Sequence, residues 1–346
     1  MKKTGCALFG CAVVVGLVAM AGLAVIGLIS PEPSATAPPP VASPPQETAQ
    51  PKARRPAPRD PNSFHLTFHF RDAAEQPREV SCTIRRSDYE RERAGFGYVE
   101  AERVEMLNRE LRETLAREAA ARGVDRYFAV EVYDEGSIRW RWSYPGGMDP
   151  GVVARIKEFD AWIEKNASTV IEAIDDRYLR AHGIRVDGDS YSVDYATLTH
   201  NATEPLADCF TALRSLGGER SDALLGLFLT FFQDLRYELP RDVDAQGRET
   251  LGFRAPTAVL VEGAGDCDSK SAAFCALWRQ VPARVLLVLV PEHALVAVEG
   301  KPGPDQASIR LGNRYFILCE VAGPGRSRPG ETDISGSFEY VLIEPA

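Results

Sequence analysis

Apolar positions recur at two spacings along this chain, and the spacing separates strands from helices. "FHLTFHF" (64–70) and "EVSCTIRR" (79–86) alternate with period two and predict strands. "VEAERVEMLNRELRETLAREAAARG" (99–123) repeats every three to four residues, which predicts an amphipathic helix stopped at Gly123. "RYFAVEVYDEGSIRWRWSY" (126–144) reads as a hairpin turning at Asp134-Glu135-Gly136. Residues 149–183 predict one long helix or two, started by Asp149-Pro150, with a short strand near 189–195.

After about residue 200 the runs become more apolar. Residues 204–217 and 221–239 predict strongly apolar helices, and 240–256 a polar loop. A helix over about 267–280 follows, then four strand-like runs at 283–290, 293–300, 314–321 and 338–345. Helices followed by strands imply an α+β fold, a helical layer packed on an antiparallel sheet. The change of texture divides the folded part into an α+β domain over 63–200 and a second domain over 201–346.

The first sixty residues are different material. Residues 5–29 carry no charge and follow Lys2 and Lys3. As a helix this stretch reaches about 37 Å, enough to cross a bilayer with some tilt. A signal peptide has a shorter apolar region, and no small-residue cleavage site follows promptly. The next basic residue is Lys52, so the positive-inside rule puts the N-terminus in the cytoplasm and the rest outside. The expectation is an uncleaved transmembrane anchor over 1–30, with a cleaved signal as the alternative. Residues 31–62, rich in Pro, Ala and Ser, predict a disordered, semi-stiff linker reaching up to roughly 100 Å. The bulk of the chain is then membrane-tethered and extracytoplasmic, in a bacterial envelope reaching towards periplasm or wall. A formal net charge of −9, spread along the chain, argues against a nucleic-acid binder.

Seven cysteines change the picture next. Cys6 and Cys11 lie in the apolar stretch, leaving Cys82, Cys209, Cys267, Cys275 and Cys319, an odd number. One or two disulfides with a thiol left over is one arrangement. Cys275 and Cys319 read as paired with each other or as buried thiols, and burial suits the apolar strand around Cys319 better. No C-x-x-C pair suggests a zinc or thioredoxin-like site. His65 and His69, four apart on a strand, stand about 13 Å apart, too far for one ion. Ile138, Trp140 and Trp142 share a strand face, and core packing explains them better than a glycan- or peptide-binding strip.

Cys267 stands in "VEGAGDCDSKSAAFCALW" (261–278), after a glycine-rich turn. It can be read as a nucleophile, a metal ligand, half of a disulfide, or a small core residue. Asp266 is a good N-cap, so Cys267 falls in the first helical turn. There the helix dipole stabilises a thiolate, and unpaired N–H groups can hold an oxyanion. Asp266 and Asp268 oppose this, so a histidine is needed as the main activator. His293, heading a strand after Pro291, is the one histidine in the same unit, although a lone histidine is more often a core residue. A base needs an orienter, and Glu320 ends an apolar strand before a Gly-Pro-Gly turn; its other reading is a glutamate pointing to water.

The order of cysteine at a helix start, histidine on one strand and acid on the next resembles the transglutaminase-like superfamily, which shares a core with papain-like peptidases. "FFQDLRY" (231–237), "RAPTAVLVEGAGDCDSKS" (254–271), "PEHALVAV" (291–298) and "RYFILCEVAGPG" (314–325) resemble four ordered pieces of its bacterial members. They cover about residues 220–331, a third of the chain. The resemblance implies Cys267 as nucleophile, His293 as base and Glu320 as orienter. Many relatives carry Asp at the position of Glu320, and often another acid or Lys at the position of Ser269. It suggests Gln233 as an oxyanion donor, by analogy with the papain-like glutamine, or equally a satisfied core amide. The implied activity is thiol acyl transfer on amide bonds, by peptide hydrolysis or cross-linking, with no metal or organic cofactor. The implied partner is a protein or peptide substrate, in the cell envelope if the tether is right. The rival reading is a non-catalytic scaffold that binds peptides or envelope partners.

Overall fold

The computed structural model describes residues 60–346 apart from 134–135, 189, 219–220, 324, 333 and 335–336. The predicted anchor, nearly all of the predicted linker and the turn at Asp134-Glu135 lie outside the described residues. Among the described residues no helix is long and apolar enough to cross a membrane. The chain begins with an antiparallel hairpin, β1 (Ser63–Arg71) and β2 (Pro77–Arg85), and continues into α1 (Arg86–Gly95) and α2 (Glu100–Ala121). A second hairpin, β3 (Phe128–Tyr133) and β4 (Ser137–Trp142), leads to the 32-residue α3 (Pro150–Ala181). Asp149 caps α3 by accepting from Gly151 N–H and Val152 N–H, and Pro150 sits where its missing donor costs nothing. A third hairpin, β5 (Ile184–Asp187) and β6 (Ser190–Val193), precedes α4 (Tyr195–Thr203), α5 (Ala207–Gly217) and α6 (Ser221–Asp234).

The remaining elements build the part that holds the cysteine. These are β7 (Arg236–Tyr237), α7 (Pro256–Glu262), β8 (Ala264–Gly265) and α8 (Cys267–Trp278), then β9 (Val285–Val290) and β10 (His293–Glu299). The last are β11 (Ser308–Leu311), β12 (Arg314–Cys319) and β13 (Glu339–Ile343). These five final strands form one antiparallel sheet in the order β11-β12-β10-β9-β13. The expected α+β class is present. The apolar run 221–239 is not all helix: α6 stops at Asp234, and Arg236–Tyr237 turn into a short strand.

Both faces of the sheet are covered, which is why "VLLVLV" reads as a continuous apolar run instead of alternating. Val285, Leu287, Val296 and Val298 face the helices, while Leu286, Val288, Leu295 and Ala297 pack with Phe316 and Leu318 on the other side. α8 is buried from Ser269 to Trp278, so it is the central helix of the core. That core also takes in Phe70, Val80, Cys82 and Ile84 from the first hairpin, and a disulfide joins Cys82 to Cys209 on α5. Packing therefore crosses the boundary drawn from the texture near residue 200, and residues 60–346 belong to one compact unit. A separate cluster joins Leu107, Leu111 and Leu115 of α2 to Ile156, Phe159 and Ile163 of α3. Trp140, only 3% exposed, belongs to this core, and both Trp140 and Trp142 donate to Asp160 Oδ1.

Candidate active site

The nucleophile position is built by a stop and a restart of helix. α7 ends at Gly263, whose left-handed φ of 63° lets the chain reverse while its N–H bonds the Leu260 carbonyl. β8 then runs parallel to β7, pairing Arg236 with Ala264 and Tyr237 with Gly265. Asp266 caps α8, its carboxylate accepting from Ser269 N–H at 3.3 Å. Cys267 is therefore the first helical residue and is half-buried. No carbonyl of α8 can accept from the N–H groups of Cys267 and Asp268, so they stay free as donors beside the sulfur.

His293 follows a two-residue turn, Pro291-Glu292, that joins β9 to β10. Glu292 has a φ of 61°, in the left-handed region that such a turn after proline demands. On the neighbouring strand Val296 pairs with Cys319, which sets Glu320 beside the start of β10. Glu320 Oε2 and His293 Nε2 are 2.7 Å apart, and Glu320 Oε1 accepts from Ala322 N–H at 2.8 Å. Cys267 is the strongest influence on the imidazole, so the sulfur lies close to the ring. With Nε2 held by the carboxylate, Nδ1 is the nitrogen left for the sulfur. Sulfur, ring and carboxylate are thus brought together, with the ring and the carboxylate hydrogen-bonded.

The charges follow from these contacts. Cys267 first, and then the hydrogen bond to Glu320, raise the His293 pKa to about 10 against the cost of burial, which favours a protonated ring at neutral pH. Burial pushes Glu320 up, but its bonds from His293 and the Ala322 N–H outweigh it and hold it below the ordinary glutamate value. Asp268 behaves differently: burial, and then the charge of Asp266, raise it to about 7. Its Oδ2 accepts from the Tyr195 hydroxyl at 2.8 Å.

Gln233 is open between an oxyanion donor, by the family resemblance, and a core amide. Its Nε2 donates to the carbonyls of Glu320 and Ser327, at 2.8 and 2.9 Å, so both amide hydrogens are committed away from the sulfur. Of the two readings the core amide fits better, although only its nitrogen is satisfied: Oε1 is buried without a partner among the described residues, while Nε2 holds the backbone that carries Glu320. Lys270 acts beside it. This lysine is fully buried, and its Nζ donates to the carbonyls of Leu235 and Ala322, both at 2.6 Å. Burial lowers its pKa to about 8, although the charges of Glu320, Asp266 and Asp234 work the other way. Arg254 clamps the approach to the cysteine: it bonds the Ala264 carbonyl, Glu238 and Glu262, and its own N–H donates to Ser269 Oγ. The roles of Lys270, Arg254 and Tyr195 were not read from the sequence. A lysine inside an otherwise apolar helix was the available signal for the first; the others depend on packing.

The other cysteines are separated from this chemistry. Cys82 and Cys209 are joined, and Cys275 and Cys319 are fully buried thiols whose pKa burial pushes upward. His65 meets the Asp60 carbonyl and His69 meets Glu79, so the two do not converge. Among the described residues no group of three or more His, Cys, Asp or Glu has the geometry to hold a metal ion. Comparison with protein-family models, with curated proteins and with solved structures finds no match to this chain.

Proposed function

We propose that this chain is a membrane-anchored, extracytoplasmic enzyme of transglutaminase-like type that performs thiol acyl transfer on amide bonds. The observation that carries the reading is the hydrogen-bonded pair His293–Glu320 set beside Cys267 at the head of a buried helix. Glu320 orients the imidazole and stabilises its charge. The Cys267 sulfur, its proton transferred to His293, bonds to the amide carbonyl carbon, and the C=O π pair moves onto oxygen. Collapse of this intermediate breaks the C–N bond, and His293 gives its proton to the departing amine. Water or a second amine then attacks the thioester, giving hydrolysis or cross-linking and returning the proton to His293. The Cys82–Cys209 disulfide supports an oxidising compartment, as does the uncharged stretch 5–29 that would anchor the chain.

The test is covalent trapping. Wild-type protein incubated with envelope extract and quenched in acid should carry an acyl group on Cys267, found by mass spectrometry. Cys267→Ala should carry none. If the mutant captures the same species, or the wild type captures nothing, the enzyme reading is wrong.

A further inference from the structure

A cavity of about 430 Å³ lies between α1, α7 and the loop after β7. Two of its lining residues are tied to the neighbours of the nucleophile. Glu238 N–H donates to the Gly265 carbonyl and Arg254 N–H to Ser269 Oγ, the residues two before and two after Cys267. Much of the wall is apolar: Phe96 and Phe253 are buried, while Leu239 and Val243 are 71% and 41% exposed, apolar surface left open to solvent. Glu92 of α1 also lines the cavity. Its Oε2 accepts from the Thr257 N–H at 2.9 Å and from the Thr257 hydroxyl. Its Oε1 is buried and has no hydrogen-bond partner among the described residues. The cations around it are engaged or point to water. Arg254 is paired with Glu238 and Glu262, Arg248 with Asp244, and Arg93 with the Gln246 side chain, while Arg241 is exposed. A buried carboxylate oxygen without a donor is costly, which suits this one to a donor carried in by a ligand.

We infer that this cavity recognises a lysine-type side chain of the peptide that acylates Cys267, its apolar stem along Phe96, Phe253 and Leu239 and its ammonium on Glu92 Oε1. This deepens the acyl-transfer reading and rests on it. One free oxygen suits a compact ammonium better than the planar fork of a guanidinium. An ammonium held on a carboxylate keeps its proton and has no lone pair to give. The cavity is therefore a place for recognition, not for the amine that resolves the thioester. Burial raises the Glu92 carboxyl to about 7 against the two bonds from Thr257. The bound ammonium needs the carboxylate form. Below that value its binding must displace a proton, so recognition weakens about tenfold per pH unit there.

Paired esters that differ only by the ammonium test this. Acetyl-dipeptide p-nitrophenyl esters carry lysine, or norleucine with the same four-carbon stem, at the first or the second position, with alanine at the other. Each acylates Cys267 by adding sulfur to the ester carbonyl and expelling p-nitrophenolate, which reports the rate. At one of the two positions the lysine ester should react roughly 10- to 100-fold faster than its norleucine partner at pH 8. That preference should fall roughly tenfold by pH 6, where Glu92 holds a proton. Glu92→Gln keeps an acceptor for Thr257 but removes the charge, and should abolish the preference. Alkylation of the variant by iodoacetamide, which needs no peptide contact, reports whether its site is folded, and the pH series on wild type needs no variant. If the norleucine esters acylate Cys267 and lysine is not preferred at either position, the inference is overturned and acyl transfer stands. The same holds for a lysine preference that is equal at pH 8 and 6, or that survives Glu92→Gln. A wild type alkylated quickly at Cys267 but acylated by none of the esters overturns both.

Discussion

At the scale of single residues, His293 is the group whose protonation reports the site. Its ordinary value of 6.5 is raised to about 10, first by Cys267 and then by the hydrogen bond to Glu320. Between those values the folded protein holds a proton that the unfolded chain releases, so rising pH removes stability. The contribution is complete below about pH 6.5 and gone above about pH 10. The melting-temperature gap between wild type and His293→Ala should therefore narrow as pH rises from 6 to 10. A gap that stays constant across that window would mean the ring is not held as a cation by its partners. Cys267, His293 and Glu320 were legible as candidates from residue type and local pattern, a capped helix start, a histidine heading a buried strand and an acid ending one, while their roles came only from the family resemblance. Gln233 was not, because which way an amide points depends on carbonyls at 320 and 327, far away in sequence.

At the scale of elements, the site depends on holding the turn after β12 against the end of α6. Lys270 and Gln233 do this from inside the core, each donating to two backbone carbonyls. Gly323 completes the fit, with φ at 63° and space for no side chain, since a Cβ there would stand 2.7 Å from the Gln233 carbonyl oxygen. Lys270→Met keeps the volume but leaves the carbonyls of Leu235 and Ala322 without their donor. It should cost about 2–5 kcal/mol, read as a lower denaturant midpoint at unchanged slope. A loss under about 0.5 kcal/mol would mean that water replaces the ammonium without penalty. Four of the five strands of the main sheet were legible as strand-like apolar runs; β11, four residues with two of them polar or charged, was not. The break at Asp234 was not, because "FFQDLRYEL" keeps helical propensity to its end. Tertiary pairing of Arg236 and Tyr237 with β8 overrides that propensity.

For the whole molecule, the first hairpin and the cysteine-bearing part share one core, tied by Cys82 and Cys209 across a sequence separation of 127 residues. Texture along the chain could not reveal this, because a core is joined by contacts that periodicity does not encode. Closing so long a loop restricts the unfolded chain, and removing the bond should cost about 2–5 kcal/mol. Cys82→Ala/Cys209→Ala should accordingly unfold at lower denaturant, while Cys267 stays reactive wherever the variant is still folded. Loss of that reactivity in the folded variant would make the hairpin part of the site's support.

The most direct measurement is the rate of native-state alkylation by iodoacetamide at neutral pH, with peptide mapping of the labelled thiol. Among the described free thiols, Cys267 should be labelled first and alone, since Cys275 and Cys319 are fully buried. His293→Ala should slow that labelling by at least about tenfold. Equal rates in the two proteins, or first labelling at Cys275 or Cys319, would contradict the account: the sulfur, the ring and the carboxylate would then be neighbours without acting as one unit.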